Sequence, residues 1–377
     1  MTAATCPVSA AAAGAVLTID LGAIADNYRR LQARLGAVPA AAVVKADAYG
    51  LGAADVAPAL AAEGCRHFFV AQLAEGMALR AALGPGAVIY ILNGLPPGAE
   101  PEAVAHDLQP VLNGLGQIDA WRKAAEHAGR PLAAALQVDS GMSRLGLAPA
   151  EVTQLAERPG RLSGIAVSLV MSHLACADEP DNPANALQRE AFEALRRRLP
   201  AAPASLANGS GVFLDRAFHF DLARPGAALY GINPTPGKAN PMRPVVGLAA
   251  KVVQTRSLPG AGVGVGYGYA FRSAGALPLA TIALGYADGW PRAAATAAFV
   301  DGVRLPFAGR VSMDLIVLDV SALPPGRLKE GDMVELLCEQ QDVDAVAAAA
   351  GTIGYEVLTG LGRRFHRQLQ GRREAGS

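Results

Sequence analysis

Five side chains in the first two thirds of this 377-residue chain could do chemistry together. Lys45 ends the apolar run "AAAVVK" and offers an amine. Tyr49 follows it in "ADAYGLG". Arg144 sits in "DSGMSRLG", after the apolar run "LAAALQV". His173 follows "GIAVSLVMS", and Arg224 follows "FDLA". Two small glycine-containing stretches, "NGSG" at 208–211 and "RPGAA" at 224–228, could present backbone N–H groups to a phosphate. An amine can bond covalently to a carbonyl, and a guanidinium suits a carboxylate. Taken singly, each item is ordinary. Lys45 alone reads as a solvated strand end, Arg144 as a clamp on Asp139, His173 as a core histidine, and "NGSG" as a turn.

Their placement depends on the elements that carry them. "AIADNYRRLQARL" sets Ile24, Tyr28, Leu31 and Leu35 on one helical face. "PAAAVV", "HFFVA", "AVIYIL", "LQPVL", "LAAALQV", "GIAVSLVMS", "ASLA" and "FDLA" read as strands, each near a helical partner such as "AADVAPALAAEG" or "NALQREAFEALRRRL". They are continuous apolar runs, as expected for a parallel sheet buried on both faces. Eight such units predict a (β/α)8 barrel of the TIM type, with its active site at the carboxyl ends of the strands. An open doubly wound sheet competes. No GxGxxG follows an early strand, which counts against a dinucleotide site. After about Asn240, β-type runs separated by Gly and Pro predict a second, mostly β domain. "AVLTIDL" is an early strand without a barrel partner, and it is expected to pair with that second domain.

On a barrel, the five side chains and both glycine-containing loops share one rim. The loops after the seventh and eighth strands of this fold often hold phosphate. A phosphate-bearing ligand beside a lysine points to pyridoxal phosphate, whose aldehyde forms a Schiff base with an amine. Bulk properties agree with small-molecule chemistry. The chain is 51% hydrophobic and balances 33 basic against 33 acidic residues, so no charge excess favours nucleic acid or a membrane surface. Cys6, Cys65, Cys176 and Cys338 form no CxxC pair, which disfavours a zinc site or a disulfide scaffold and predicts a reduced, cytoplasmic protein. The alanine-rich start carries no basic residue and reads as a loose tail, as does "GRREAGS" at the end. No run is long and apolar enough to span a bilayer.

These motifs together resemble the bacterial alanine racemases. "AVVKADAYGLGA", "DSGMSRLG", "MSHLACAD", "FDLARPGAALYG", "VGYGYAF", "LGYADGWPR", "AGRVSMDLIVLD" and "TIGYEVLTGLGRR" match that family in order, from about Val16 to about Leu361. The resemblance implies a pyridoxal-phosphate-binding barrel over 22–240. It also implies a β domain over 241–377 plus 12–21, which contributes to the active site of a partner chain in a homodimer.

It further implies a two-base racemisation of alanine. Lys45 holds the cofactor and handles the D-alanine proton; Tyr267 handles the L-alanine proton, with Tyr269 a near decoy in sequence. His173 and the cations around it are expected to tune that tyrosine. Arg224 faces the pyridine nitrogen. Tyr49, Asn208, Ser210, Gly226, Ala227 and Tyr355 hold the cofactor. Arg144 and the Met313 N–H hold the substrate carboxylate. Tyr286 and Tyr355 narrow the entrance, and Gln137 and Asp314 support the site. No metal is expected.

Two positions depart from the family. Gln137 stands where many relatives have a lysine, often carbamylated. Arg144 is therefore expected to be held by the Gln137 amide oxygen, with a chloride supplying the missing charge. Gly209 stands where a serine often touches phosphate, and Ser210 is expected to substitute. Competing readings are a serine, lysine or broad-specificity racemase, a related decarboxylase, and a non-catalytic pyridoxal-phosphate-binding protein. Supply of wall D-alanine and alanine catabolism both remain open as roles.

Overall fold

The computed structural model describes residues 9–371, which fall into two compact units. Cys6 and the tail from 372 lie outside the described residues. One unit runs from Ala23 to Arg243; the other joins the N-terminal segment through Gly22 to the chain from Pro244 onward. Residues 241–243 go with the first unit because Asn27 grips them: its Oδ1 accepts the Arg243 N–H and its amide donates to the Arg243 carbonyl.

The N-terminal segment begins with a turn at Ser9–Ala13, and Lys251 Nζ donates to the carbonyls of Ala10 and Ala11 at 2.8 and 2.6 Å. The described part of the expected loose tail is therefore docked, with Ala13 buried. Strand β1 (Ala15–Asp20) follows, with alternate residues buried, as a half-exposed strand requires.

The first unit is a ring of short parallel strands. These are β2 (Ala42–Val43), β3 (His67–Val70), β4 (Val88–Ile91), β5 (Gln109–Leu112), β6 (Leu132–Gln137), β7 (Ile165–Met171) and β8 (Ala204–Ser205), bonded in that order. The helix Leu21–Leu35 buries Ile24, Tyr28, Leu31 and Leu35, the predicted face. "FDLA", read as an eighth strand, forms only an irregular rung. Asp221 and Arg224 donate to the carbonyls of Ala204 and Ala207 on one side, while Ala41 and Val43 donate to those of Ala223 and Pro225 on the other. The ring is thus closed by hydrogen bonds without regular strand geometry, because Pro225 has no N–H to continue the ladder.

The second unit is built on β9 (Val246–Leu258), which pairs with β1 and a later strand along its first half and with another later strand along its second. The hairpin of β10 (Gly264–Val265) and β11 (Phe271–Arg272) carries the Tyr267–Tyr269 turn. Next come β12 (Leu277–Ile282), β13 (Ala297–Val300), β14 (Val303–Pro306), β15 (Ile316–Asp319) and β16 (Met333–Leu337). Helices Val343–Ala350 and Gly354–Gly360 precede β17 (His366–Gln370), which runs parallel to β1. The early strand "AVLTIDL" therefore lies between β9 and β17, hydrogen-bonded on both edges.

Candidate active site

The strand ends of the barrel bring Lys45, Arg144, His173 and Arg224 into one electrostatic neighbourhood. Burial pulls the Lys45 amine below its ordinary value, Arg144 pulls it further, and Glu75 opposes them. Burial holds His173 down to about 3, aided by Arg224, Arg144 and Lys45. Its Nδ1 accepts from Arg224 Nη2 at 3.5 Å, so the ring is neutral and carries its proton on Nε2. The imidazole therefore supplies no positive charge of its own.

Arg224 is only 3% exposed. It donates to Ser205 Oγ, and to the Ser172 carbonyl at 2.5 Å, while Ser205 Oγ donates onward to the Leu222 carbonyl. Burial lowers the guanidinium to about 9, so it stays protonated near neutral pH. Among the described residues no carboxylate pairs with it. A buried cation without a counter-ion is costly, and the cost falls when an anion or an acceptor docks beside it.

Lys45 opens an unusual turn. Ala46, Asp47, Ala48 and Tyr49 all have φ between 52° and 57°. Left-handed backbone costs non-glycine residues roughly 1–2 kcal/mol each, so four in succession need support. That support comes from Ala48 N–H to Val44 O, Gly50 N–H to Ala46 O, and Ala53 N–H to Asp47 Oδ1. The Glu75 carboxylate also accepts the Ala46 N–H at 2.6 Å. The turn sends Tyr49 inward, where its ring lies 4.7 Å from that of Tyr230, and Tyr230 donates to the Val43 carbonyl.

The Tyr49 hydroxyl lies over Gly226. A Cβ added at Gly226 would stand 2.4 Å from Tyr49 Oη, so only glycine allows this approach. Gly209 is beside it: a Cβ there would meet the Gly226 nitrogen at 3.9 Å and Ala228 Cβ at 3.6 Å, ordinary contacts. Glycine is thus not required at 209 by space. Asn208 Oδ1 accepts the Gly211 N–H at 2.9 Å and shapes this loop. Among the described residues, the N–H groups of Ser210, Gly226 and Ala227 donate to no protein acceptor. Unpartnered N–H groups on adjoining loops, a glycine that a Cβ would block, and a buried unpaired cation fit the phosphate and ring nitrogen of pyridoxal phosphate.

Gln137, at the end of β6, is 7% exposed, whereas Arg144 is exposed. No hydrogen bond joins them, which corrects the expected amide grip. The loop between them is fixed instead by Asp139, whose Oδ1 accepts from the N–H groups of Gly141, Met142 and Ser143. Asp139 therefore shapes the backbone, and no ion pair joins it to the Arg144 guanidinium.

In the β unit, Tyr286, Met313 and Asp314 are drawn together. Tyr286 N–H donates to Ser312 O at 3.1 Å and Ala287 N–H to Met313 O at 2.9 Å. A Cβ on Gly285 would stand 2.2 Å from the Met313 carbonyl oxygen. Arg364 joins Asp314 at 2.8 Å to Asp288 at 3.1 Å, and Asp288 Oδ2 accepts the Gly285 N–H. The helix bearing Tyr355 abuts the same segment, since Gly362 N–H donates to Asp288 O. The Met313 N–H has no protein acceptor among the described residues. Tyr267 is 69% exposed at its hairpin tip. Tyr269 is 62% exposed as well, but its ring covers Gly264 and the Arg272 guanidinium lies 5.6 Å from its centre.

Four supporting residues escaped the sequence reading: Glu75, Ser172, Ser205 and Tyr230. Only the acid at position 75, three residues after a polar helix start, left a local signal, that of a capping box.

Comparison with known proteins agrees with this arrangement. The model of the alanine racemase N-terminal domain matches residues 19–234, and that of the C-terminal domain matches residues 245–369. A catabolic alanine racemase of Mesorhizobium japonicum is 65% identical, over 97% of this chain and 96% of its own. An alanine racemase of Rhodospirillum rubrum is 50% identical, over 96% of this chain and 97% of its own. The crystal structure of the Bartonella henselae alanine racemase, with covalently bound pyridoxal phosphate, superposes with a TM-score of 0.90 at 40% identity, over 95% of this chain and 99% of that one. Two domain models in order over nearly the whole chain, and relatives at this level of identity, place the chain in the alanine racemase family.

Proposed function

We propose that this chain is an alanine racemase that interconverts L- and D-alanine with pyridoxal phosphate. The observation that carries the reading is the group on the barrel rim: Lys45 and Arg144 beside a neutral His173, with Arg224 buried among them and unpaired. When bound, pyridoxal phosphate supplies an electron-withdrawing ring that acidifies the substrate Cα. Lys45 holds the cofactor. Tyr49 Oη and the N–H groups of Ser210, Gly226 and Ala227 hold its phosphate, Asn208 shapes that cradle, and Tyr355 completes it. Arg224 donates to the ring nitrogen and, being unable to give up its proton readily, leaves that nitrogen without one.

Racemisation needs a proton removed from one face of Cα and another returned to the opposite face. Lys45 serves the D-alanine face. Tyr267, from a second copy of the chain in a homodimer, serves the L-alanine face. Arg144 and the Met313 N–H orient the substrate carboxylate. His173, with Arg144 and Arg224 around it, would tune Tyr267. Tyr286 and Tyr355 narrow the entrance to a methyl side chain, Asp314 steadies the Met313 segment through Arg364, and Gln137, buried at the end of β6, supports the loop that carries Arg144. The name of the Mesorhizobium relative supports a catabolic role, ahead of peptidoglycan supply.

The test is purified protein with pyridoxal phosphate and L-alanine, scored for D-alanine. A protein that binds the cofactor covalently yet turns over neither alanine nor serine sinks the proposal. For the catabolic role, a deletion strain should lose growth on alanine as sole nitrogen source while keeping normal wall D-alanine.

A further inference from the structure

We propose that Glu75 is a positioning residue for Lys45, its carboxylate both tethering the turn that presents the amine and setting a negative charge against it. This rests on the reading that Lys45 carries the cofactor.

The geometry is specific. Glu75 lies in the first turn of the helix Leu73–Leu83. One carboxylate oxygen accepts the N–H groups of Ala71 and Gln72 at 2.8 and 3.0 Å, an ordinary helix cap. The other reaches the Ala46 N–H, twenty-nine residues away in sequence, at 2.6 Å. Capping needs only the first oxygen. The second ties the segment after β3 to the first residue of the left-handed turn, immediately after Lys45.

Charge supplies the second argument. Arg144 faces Lys45 from the loop after β6, and His173 from the end of β7, with Arg224 behind it. On the turn itself, Asp47 spends its Oδ1 on the Ala53 N–H, and the Tyr49 ring packs tilted against that of Tyr230. Glu75 alone among these groups raises the amine against burial and Arg144. Without it, Lys45 would lose its proton at lower pH and its turn would lose a tether.

The experiment uses the full-length chain stripped of cofactor. Covalent capture of pyridoxal phosphate is followed by absorbance across pH, with borohydride trapping and mass spectrometry to locate it at Lys45. Glu75→Gln should lower the pH midpoint of capture by about one unit, the size expected when a nearby opposite charge is removed. Glu75→Asp keeps the charge but cannot span both loops, so its midpoint should stay near that of the unchanged chain while capture slows severalfold. A cap alone would alter melting temperature and leave both readouts unmoved. A folded Glu75→Gln protein with an unshifted midpoint overturns the proposal. Should that variant fail to fold, wild-type capture rate in Glu75→Asp overturns it. Failure of the unchanged chain to capture the cofactor is a separate result, and it overturns the underlying function.

Discussion

Arg224 Nη2 donates to Nδ1 of His173 at 3.5 Å, which fixes the imidazole as a neutral acceptor inside a cluster of cations. His173 titrates near its ordinary 6.5 in the unfolded chain and near 3 in the folded one. Between those values the unfolded chain binds more protons, so stability rises with pH. The contribution is intact above pH 6.5 and is lost as pH falls toward 3. His173→Gln should flatten the pH dependence of the urea midpoint across this window. Equal slopes for the two proteins would show that His173 is not the titrating group.

Tyr267 and Tyr269 are two residues apart but differently held. Both are exposed, but the Tyr269 ring packs on Gly264 under Arg272. Tyr267→Phe should reduce L-to-D turnover by about a hundredfold or more, the range for loss of an acid–base group. Tyr269→Phe should leave turnover within a few fold. The reverse ranking would reassign the second base.

Gly226 approaches Tyr49 so closely that a methyl group cannot enter without moving the Tyr49 hydroxyl. Gly226→Ala should displace the Tyr49 hydroxyl and weaken pyridoxal phosphate binding about tenfold, or ~1.4 kcal/mol. Adding Tyr49→Phe to Gly226→Ala should cost less than the two single changes summed, since both act on one contact. Additive losses in a cofactor titration would place the two residues in separate roles.

Arg224 provides a donor that rarely deprotonates, and Arg224→Glu offers the ring nitrogen a proton instead. The variant should form more pyruvate from alanine per racemisation event, measured with a coupled dehydrogenase. It should also melt lower, because a carboxylate would face the Ser172 carbonyl, which now accepts from the guanidinium. An unchanged pyruvate fraction would remove Arg224 from control of the side reaction.

Much of this protein was legible in the chain alone. The apolar runs set the barrel strands and their order, because strands buried on both faces leave an unbroken apolar signature. The period of "AIADNYRRLQARL" marked the buried face of its helix, and the order of polar residues after the runs set the rim group. The irregular eighth rung was not legible, since its hydrogen bonds go to segments far away in sequence. Nor was the protonation state of His173, which depends on burial and on three distant cations. The expected grip of Gln137 on Arg144 failed for a similar reason: the Asp139 turn, and not the strand residue before it, shapes the loop. Sequence by itself determined which groups could act and along which rim. Tertiary structure decided which were charged, which were paired, and that a glutamate on the neighbouring helix holds the turn that offers Lys45, because pairing and desolvation are properties of distance and burial.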